Sequence, residues 1–146
     1  MIIEQLSVFS ENRSGMLVEI TSLLAGAEID IEALTIAETS EYGVLRFIVD
    51  APKKAMTVLK AGGFVATLTP VIALKMQNKP GALNGIAKVL ADEGISIEYL
   101  YACVAREEGS AFVILRVEDM DKAVAVLAGE GYEAFREAKM RGEQNQ

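Results

Sequence analysis

The sequence predicts an α+β chain made of two tandem copies of one βαββαβ unit, and three observations carry the prediction. First, the chain repeats itself. Residues 11–34 laid over residues 77–100, with no gap, are identical at ten of 24 positions, where ordinary residue frequencies give about one or two. Asn12/Asn78, Gly15/Gly81, Leu24/Leu90, Ile31/Ile97 and Glu32/Glu98 are among the matches. Second, the repeat continues with a two-residue shift, at Lys54-Ala55 over Lys122-Ala123 and Gly63-Phe64 over Gly131-Tyr132. Two added residues in an extended segment leave every side chain on its original face. Third, apolar spacing changes between the strand and helix periods in the same order in each copy.

In the first copy, residues 2–9 mix apolar and polar residues as a strand does. Met16, Leu17, Ile20, Leu23 and Leu24 follow helical spacing, with Ser14 as N-cap and Gly26 near the end. Residues 29–37 form the second strand, with Ile29, Ile31 and Ala33 on one face and Leu34 and Ile36 on the other. Residues 44–49 are the third strand, entered through a turn at Glu41-Tyr42-Gly43. Pro52 opens a second helix that Gly62-Gly63 closes, and residues 64–69 are the last strand. The second copy repeats the series. Strands fall at 71–76, 95–105 and 111–117, a helix carries Leu83, Ile86, Val89 and Leu90, and another carries Ala123, Val124, Val126 and Leu127. A final strand begins near Tyr132, and Glu107-Glu108-Gly109 is a hairpin tip.

This order is the split βαβ, or ferredoxin-like, plan. Each module is expected to be an antiparallel sheet with helices on one face, and right-handed crossovers place the third strand between the first and second. The modules span residues 1–69 and 70–138, followed by a polar tail at 139–146. So small a two-layer unit leaves one sheet face to cover. Residues 99–104 are apolar on both faces, which suits a strand covered on both sides by the other repeat or a second chain. A homodimer is therefore expected, with this strand near its interface.

Composition narrows the function. The 146-residue chain is 51% hydrophobic and carries 14 basic against 21 acidic residues, a net charge of −7. An acidic surface repels phosphate backbones and anionic lipid, so neither nucleic acid nor membrane is an expected partner. With no histidine, His bases and His-ligated zinc are excluded, and with Cys103 as the one cysteine there is no internal disulfide and no CxxC site. No cofactor, metal or catalytic residue is expected: no nucleophile–base pair is visible, so a hydrolase using Cys103 or paired acids is disfavoured. The start has no basic region and no long apolar core, and the free thiol suits a reducing compartment, so a cytoplasmic protein is expected. On this plan an RNA binder needs strand aromatics in a basic field, a metal chaperone needs CxxC, and a phosphatase needs an Arg in a phosphate-cradling loop. The sequence supports none of these well.

The copies agree most visibly at the first strand-to-helix turn, Ser10-Glu11-Asn12-Arg13-Ser14-Gly15-Met16-Leu17 and Met76-Gln77-Asn78-Lys79-Pro80-Gly81-Ala82-Leu83. The turn resembles the N-x-P-G-x-L pattern of the ACT-domain family of amino-acid-sensing regulatory modules. The Ile-x-Ile that follows, at Ile29-Asp30-Ile31 and Ile95-Ser96-Ile97, resembles the start of that family's second strand. The resemblance covers residues 2–136 and is nearest to the serine-sensing module of phosphoglycerate dehydrogenases. It implies a regulator without catalysis, acting in amino-acid metabolism through allosteric bridging. The ligand, a free amino acid, would lie between the turn of one module and the second strand of its neighbour, and a metabolic enzyme is the implied target. Its candidate ligand-binding residues here are Ser10, Asn12, Arg13, Ser14, Gly15 and Asp30, then Met76, Asn78, Gly81 and Ser96.

The chemistry of the turn stands independently. A helix start presents N–H groups and a dipole that favour an anion, glycine lets the backbone approach closely, and Asn offers both a donor and an acceptor to a zwitterion. Asp30 adds an anion for an ammonium group. The sequence departs from the family pattern at Ser10 and Met76, where the family has His, at Ser14, where it has Pro, and at Asp30 and Ser96, where it has Asn. Because Met76 offers a carboxylate no useful hydrogen bond, the Asn12 turn is expected to be the stronger site. Two alternatives remain at this stage: Asn12 and Asn78 as side-chain turn formers, and a structural dimerisation or regulatory subunit with no ligand.

Overall fold

The computed structural model describes residues 1–38, 41–104 and 108–135. The expected tail at 139–146, the last residues of the second module, Ala105 and Glu107 lie outside the described residues. Among the described residues the elements follow in order: β1 (Ile2–Glu11), α1 (Met16–Gly26), β2 (Ile31–Glu38), β3 (Tyr42–Val49), α2 (Pro52–Ala61), β4 (Val65–Gln77), α3 (Ala82–Asp92), β5 (Ile97–Val104), β6 (Ser110–Val117) and α4 (Met120–Gly129). The chain forms two compact units, Glu4–Thr69 and, from Pro70 onward, a second that also takes in Met1–Ile3.

In the first unit the strands lie in the order β2-β3-β1, with the opening half of β4 beyond β1. β1 and β3 are antiparallel with Leu6 opposite Phe47, and β2 and β3 with Leu34 opposite Phe47. Alternation turns Leu6, Val8, Leu45 and Phe47 toward the helices. They meet Ile20 and Leu24 of α1 and Ala55 and Leu59 of α2 in one buried cluster. Gly62 lies close against α1: a Cβ there would stand 2.5 Å from Leu23 Cδ1, so the leucine tip would have to shift. In the second unit β6 lies between β4 and β5, and Ile72, Leu74, Val113 and Leu115 pack on Ile86, Leu90, Ala123 and Leu127. Residues 133–135 run beside β4: the Lys75 N–H donates to Glu133 O at 2.9 Å and the Phe135 N–H to Ala73 O at 3.1 Å. In both units the third strand lies between the first and second, as right-handed crossovers require.

Several details differ from the sequence-based expectations. The last strand of the first copy and the first strand of the second are one strand, β4, which continues through Pro70. Pro70 has no N–H to leave unpaired, and its exposed carbonyl accepts from Arg116 Nη1 at 2.6 Å. Tyr42 and Gly43 are already in β3, paired with Glu11 and Ser10, rather than in a turn before it. The register of β2 slips between Ile31 and Ala33, and that of β5 between Ile97 and Tyr99. Each bulge adds one residue and resets alternation. Leu34 therefore joins Ile31 on the helix-covered face, as Leu100 joins Ile97. In β5, Tyr99, Leu100, Tyr101 and Cys103 are half-buried in the single chain and Ala102 is exposed, so the strand is not covered on both sides there.

Candidate functional site

Both strand-to-helix turns are built alike. Gly15 and Gly81 are the residues before α1 and α3, with φ of 85° and 88°. That left-handed conformation favours glycine. Ser14 was the expected cap, but the capping position is Gly15 and no side-chain hydrogen bond closes the helix start. The backbone makes the closure instead: Met16 N–H donates to Arg13 O and Ala82 N–H to Lys79 O, both at 3.3 Å. The N–H of Asn12 donates to Glu41 O at 3.0 Å and that of Asn78 to Gly109 O at 2.9 Å, tying each turn to the hairpin beside it. The side chains of both asparagines are exposed and take no hydrogen bond among the described residues, so they do not act as side-chain turn formers.

The turns differ in what fills the space beside them. At the second turn a cleft of about 480 Å³ opens. Met76 and Gln77 at the end of β4 and Lys79, Gly81, Ala82 and Gly85 at the start of α3 form much of its wall. Ser110 of β6 and the segment Gly131–Tyr132–Glu133 complete it, with a contribution from Lys75. Tyr132 is half-buried against the core, and its hydroxyl stands 3.3 Å from where a Cβ on Gly85 would be. Aligning the copies places Met16 where Ala82 lies, Glu19 where Gly85 lies and Phe64 where Tyr132 lies. The strand registers place Tyr42, opposite Glu11, where Ser110 lies opposite Gln77. Met16 is buried, with its Cε 3.8 Å from the Cβ position of Gly43, and Glu19 forms an ion pair with Arg13. Larger residues thus occupy the first turn where small ones line the second.

The expected site residues therefore separate into groups. Met76 and Gly81 line the cleft, and Asn78 stands in the same turn. Ser10, Asn12, Arg13, Ser14 and Gly15 gather at the first turn, where Ser10 Oγ donates to Glu11 O at 3.4 Å. Asp30 and Ser96 do not meet the turn of their own module. The Asp30 N–H donates to Asp50 Oδ1 at 3.1 Å and the Glu118 N–H to Ser96 O at 3.2 Å, at the far ends of β3 and β6 from the turns. An eight-residue strand separates those ends by about 25 Å. Sequence reading missed Lys79, Ala82, Gly85, Ser110 and Tyr132. For Ala82, Gly85 and Ser110 the signal was the mismatch between aligned copies, small residues in the second set against Met16, Glu19 and Tyr42 in the first. Burial pushes the Cys103 thiol above its ordinary pKa, the behaviour of a packing residue rather than an activated nucleophile. Among the described residues no group of His, Cys, Asp and Glu is placed to hold a metal ion, and no helix is long and apolar enough to cross a membrane.

Two fused βαββαβ modules with a ligand-sized cleft at a strand-to-helix turn define a class of regulatory domain. The chain belongs to the ACT domain pair family, whose profile matches residues 1–141. It is similar to a protein of Bacteroides thetaiotaomicron over 92% of both chains, at 39% identity and a TM-score of 0.86. The ligand-free regulatory subunit of aspartate kinase from Thermus thermophilus is similar over 88% of this chain and 96% of its own, at 17% identity and a TM-score of 0.64. Its counterpart from Thermus flavus covers 88% and 92%, at 16% identity and 0.59. These two share the fold. No curated protein sequence matches the chain.

Proposed function

We propose that the protein is a non-catalytic cytoplasmic regulator that binds a free amino acid at its strand-to-helix turn and controls a metabolic enzyme. The single observation that carries this is the cleft at the Asn78–Gly81 turn, open and lined with hydrogen-bonding groups. Family membership supports the regulatory reading, and the likeness to regulatory subunits of aspartate kinase supports an enzyme as the target. The ligand acts by holding the turn against a neighbouring module in a homodimer, where Asp30 or Ser96 of that neighbour completes the site. Its effect is bounded by its differential affinity for the two arrangements.

A thermal-shift screen with the twenty standard amino acids tests the reading. A binder at 100 times its dissociation constant adds ~2.7 kcal/mol to stability. Asn78→Ala is expected to leave the fold intact and weaken binding by ~1–3 kcal/mol, whereas Asn12→Ala leaves binding unchanged, the reverse of the order expected from Ser10 and Met76 alone. Sedimentation is expected to give twice the 15.7 kDa chain mass. A second reading, a structural subunit with no ligand, draws on the filled first turn. It takes first place if none of the twenty amino acids shifts the transition.

A further inference from the structure

The first module already holds a carboxylate beside its turn. Glu19, in the first turn of α1, reaches back to Arg13 and forms an ion pair with it. The cation is retained at the second turn as Lys79, but the residue aligned with Glu19 is Gly85. Lys79 has no ion-pair partner among the described residues. The cleft lies beside Gly85 and is lined as well by Gln77, Ser110 and Tyr132, which take no side-chain partner among the described residues, and by Lys75 and Glu133. One module thus pairs its turn cation with its own α1 carboxylate, and in the other the aligned carboxylate is missing and a cleft lies beside the cation.

We infer that the second module's cleft takes the carboxylate of an external amino acid in the place that Glu19 fills in the first, so that the chain binds one such molecule, not two. This rests on the reading above and adds to it the position, the count and the residues that discriminate. Lys79 supplies the charge, and the Tyr132 hydroxyl, where the first module has Phe64, supplies a hydrogen bond at the deep end. Ala82 and Gly85 set the width. In the first module the aligned positions hold the buried Met16 and the half-exposed Glu19.

Titration calorimetry with the twenty standard amino acids, and with the α-carboxamide of each that binds, tests this. One molecule per chain is expected, and the carboxamide is expected to bind at least about tenfold more weakly. Gly85→Glu writes the first module's carboxylate into the second. It improves helix propensity, and its Cβ meets only the tip of Tyr132, so the variant is expected to fold and to lose binding by about a hundredfold or more. Lys79→Gln is expected to weaken binding about tenfold and Tyr132→Phe about fivefold, with circular dichroism unchanged. Two molecules per chain, or Gly85→Glu binding as the natural chain does, would overturn the inference and leave the regulator reading standing. Binding of none of the twenty amino acids by the natural chain would overturn both.

Discussion

The two turns share a backbone and part company in their side chains. Gly15 and Gly81 have nearly the same φ, the helices they open bury the same register of residues, and the hydrogen bonds that close each turn agree to within 0.1 Å. Yet one turn is filled by Met16 and neutralised by Glu19, and the other is open beside Lys79. The shared backbone is the part on which fold stability depends. The side chains that differ lie beside the turns, where the fold constrains them less. A repeat protein of this kind carries its own control: the shared cores report on folding, and the side chains that differ beside the turns report on the cleft.

The largest expected effect tests the shared part. Leu24→Ala and Leu90→Ala remove aligned, fully buried side chains and each should cost ~2–5 kcal/mol. Denaturant unfolding that separated the two costs by more than that range would break the equivalence of the cores. Next come Gly15→Ala and Gly81→Ala. A Cβ at either position has nothing within 4 Å, so the cost is backbone strain alone, ~1–2 kcal/mol, and should be the same in both modules by thermal unfolding. The smallest effect belongs to the first turn alone. Glu19→Ala breaks an ion pair whose side chains are 46% and 52% exposed, and such pairs contribute under ~1 kcal/mol. A larger loss on chemical denaturation would mean that the pair holds the turn together rather than merely occupying it.

Much of the fold was legible because both periodicities were clean and occurred twice. Ile20, Leu24, Ile86 and Leu90 could be assigned to buried helix faces from spacing alone. The errors arose where one residue decides geometry. Ser14 looked like a cap by chemistry, but a left-handed φ at the next residue gives the position to Gly15. Strict alternation misplaced Leu34 because a bulge, invisible in composition, adds a residue at Glu32. The repeat places the boundary between copies near Thr69-Pro70, with separate strands at 64–69 and 71–76, and the strand runs through it. The candidate site was half legible. Its turn was written in Asn78 and Gly81, but a cleft is a property of what is missing. It was readable only by setting Ala82 and Gly85 against Met16 and Glu19.

That unbroken strand has a bearing on how the duplicated gene can be taken apart. β4 gives its opening residues to the first unit and those after Pro70 to the second, and Met1–Ile3 at the head of β1 belong with the second unit as well. Neither half is a detachable cassette. A cut at residue 69 would leave the first half holding three residues that its partner uses and would strip the second half of its Met1 contacts, whose carbonyl accepts from the Ala73 N–H at 2.9 Å. Recombination that exchanged single modules between relatives would meet the same obstacle, at β4 and at Met1–Ile3.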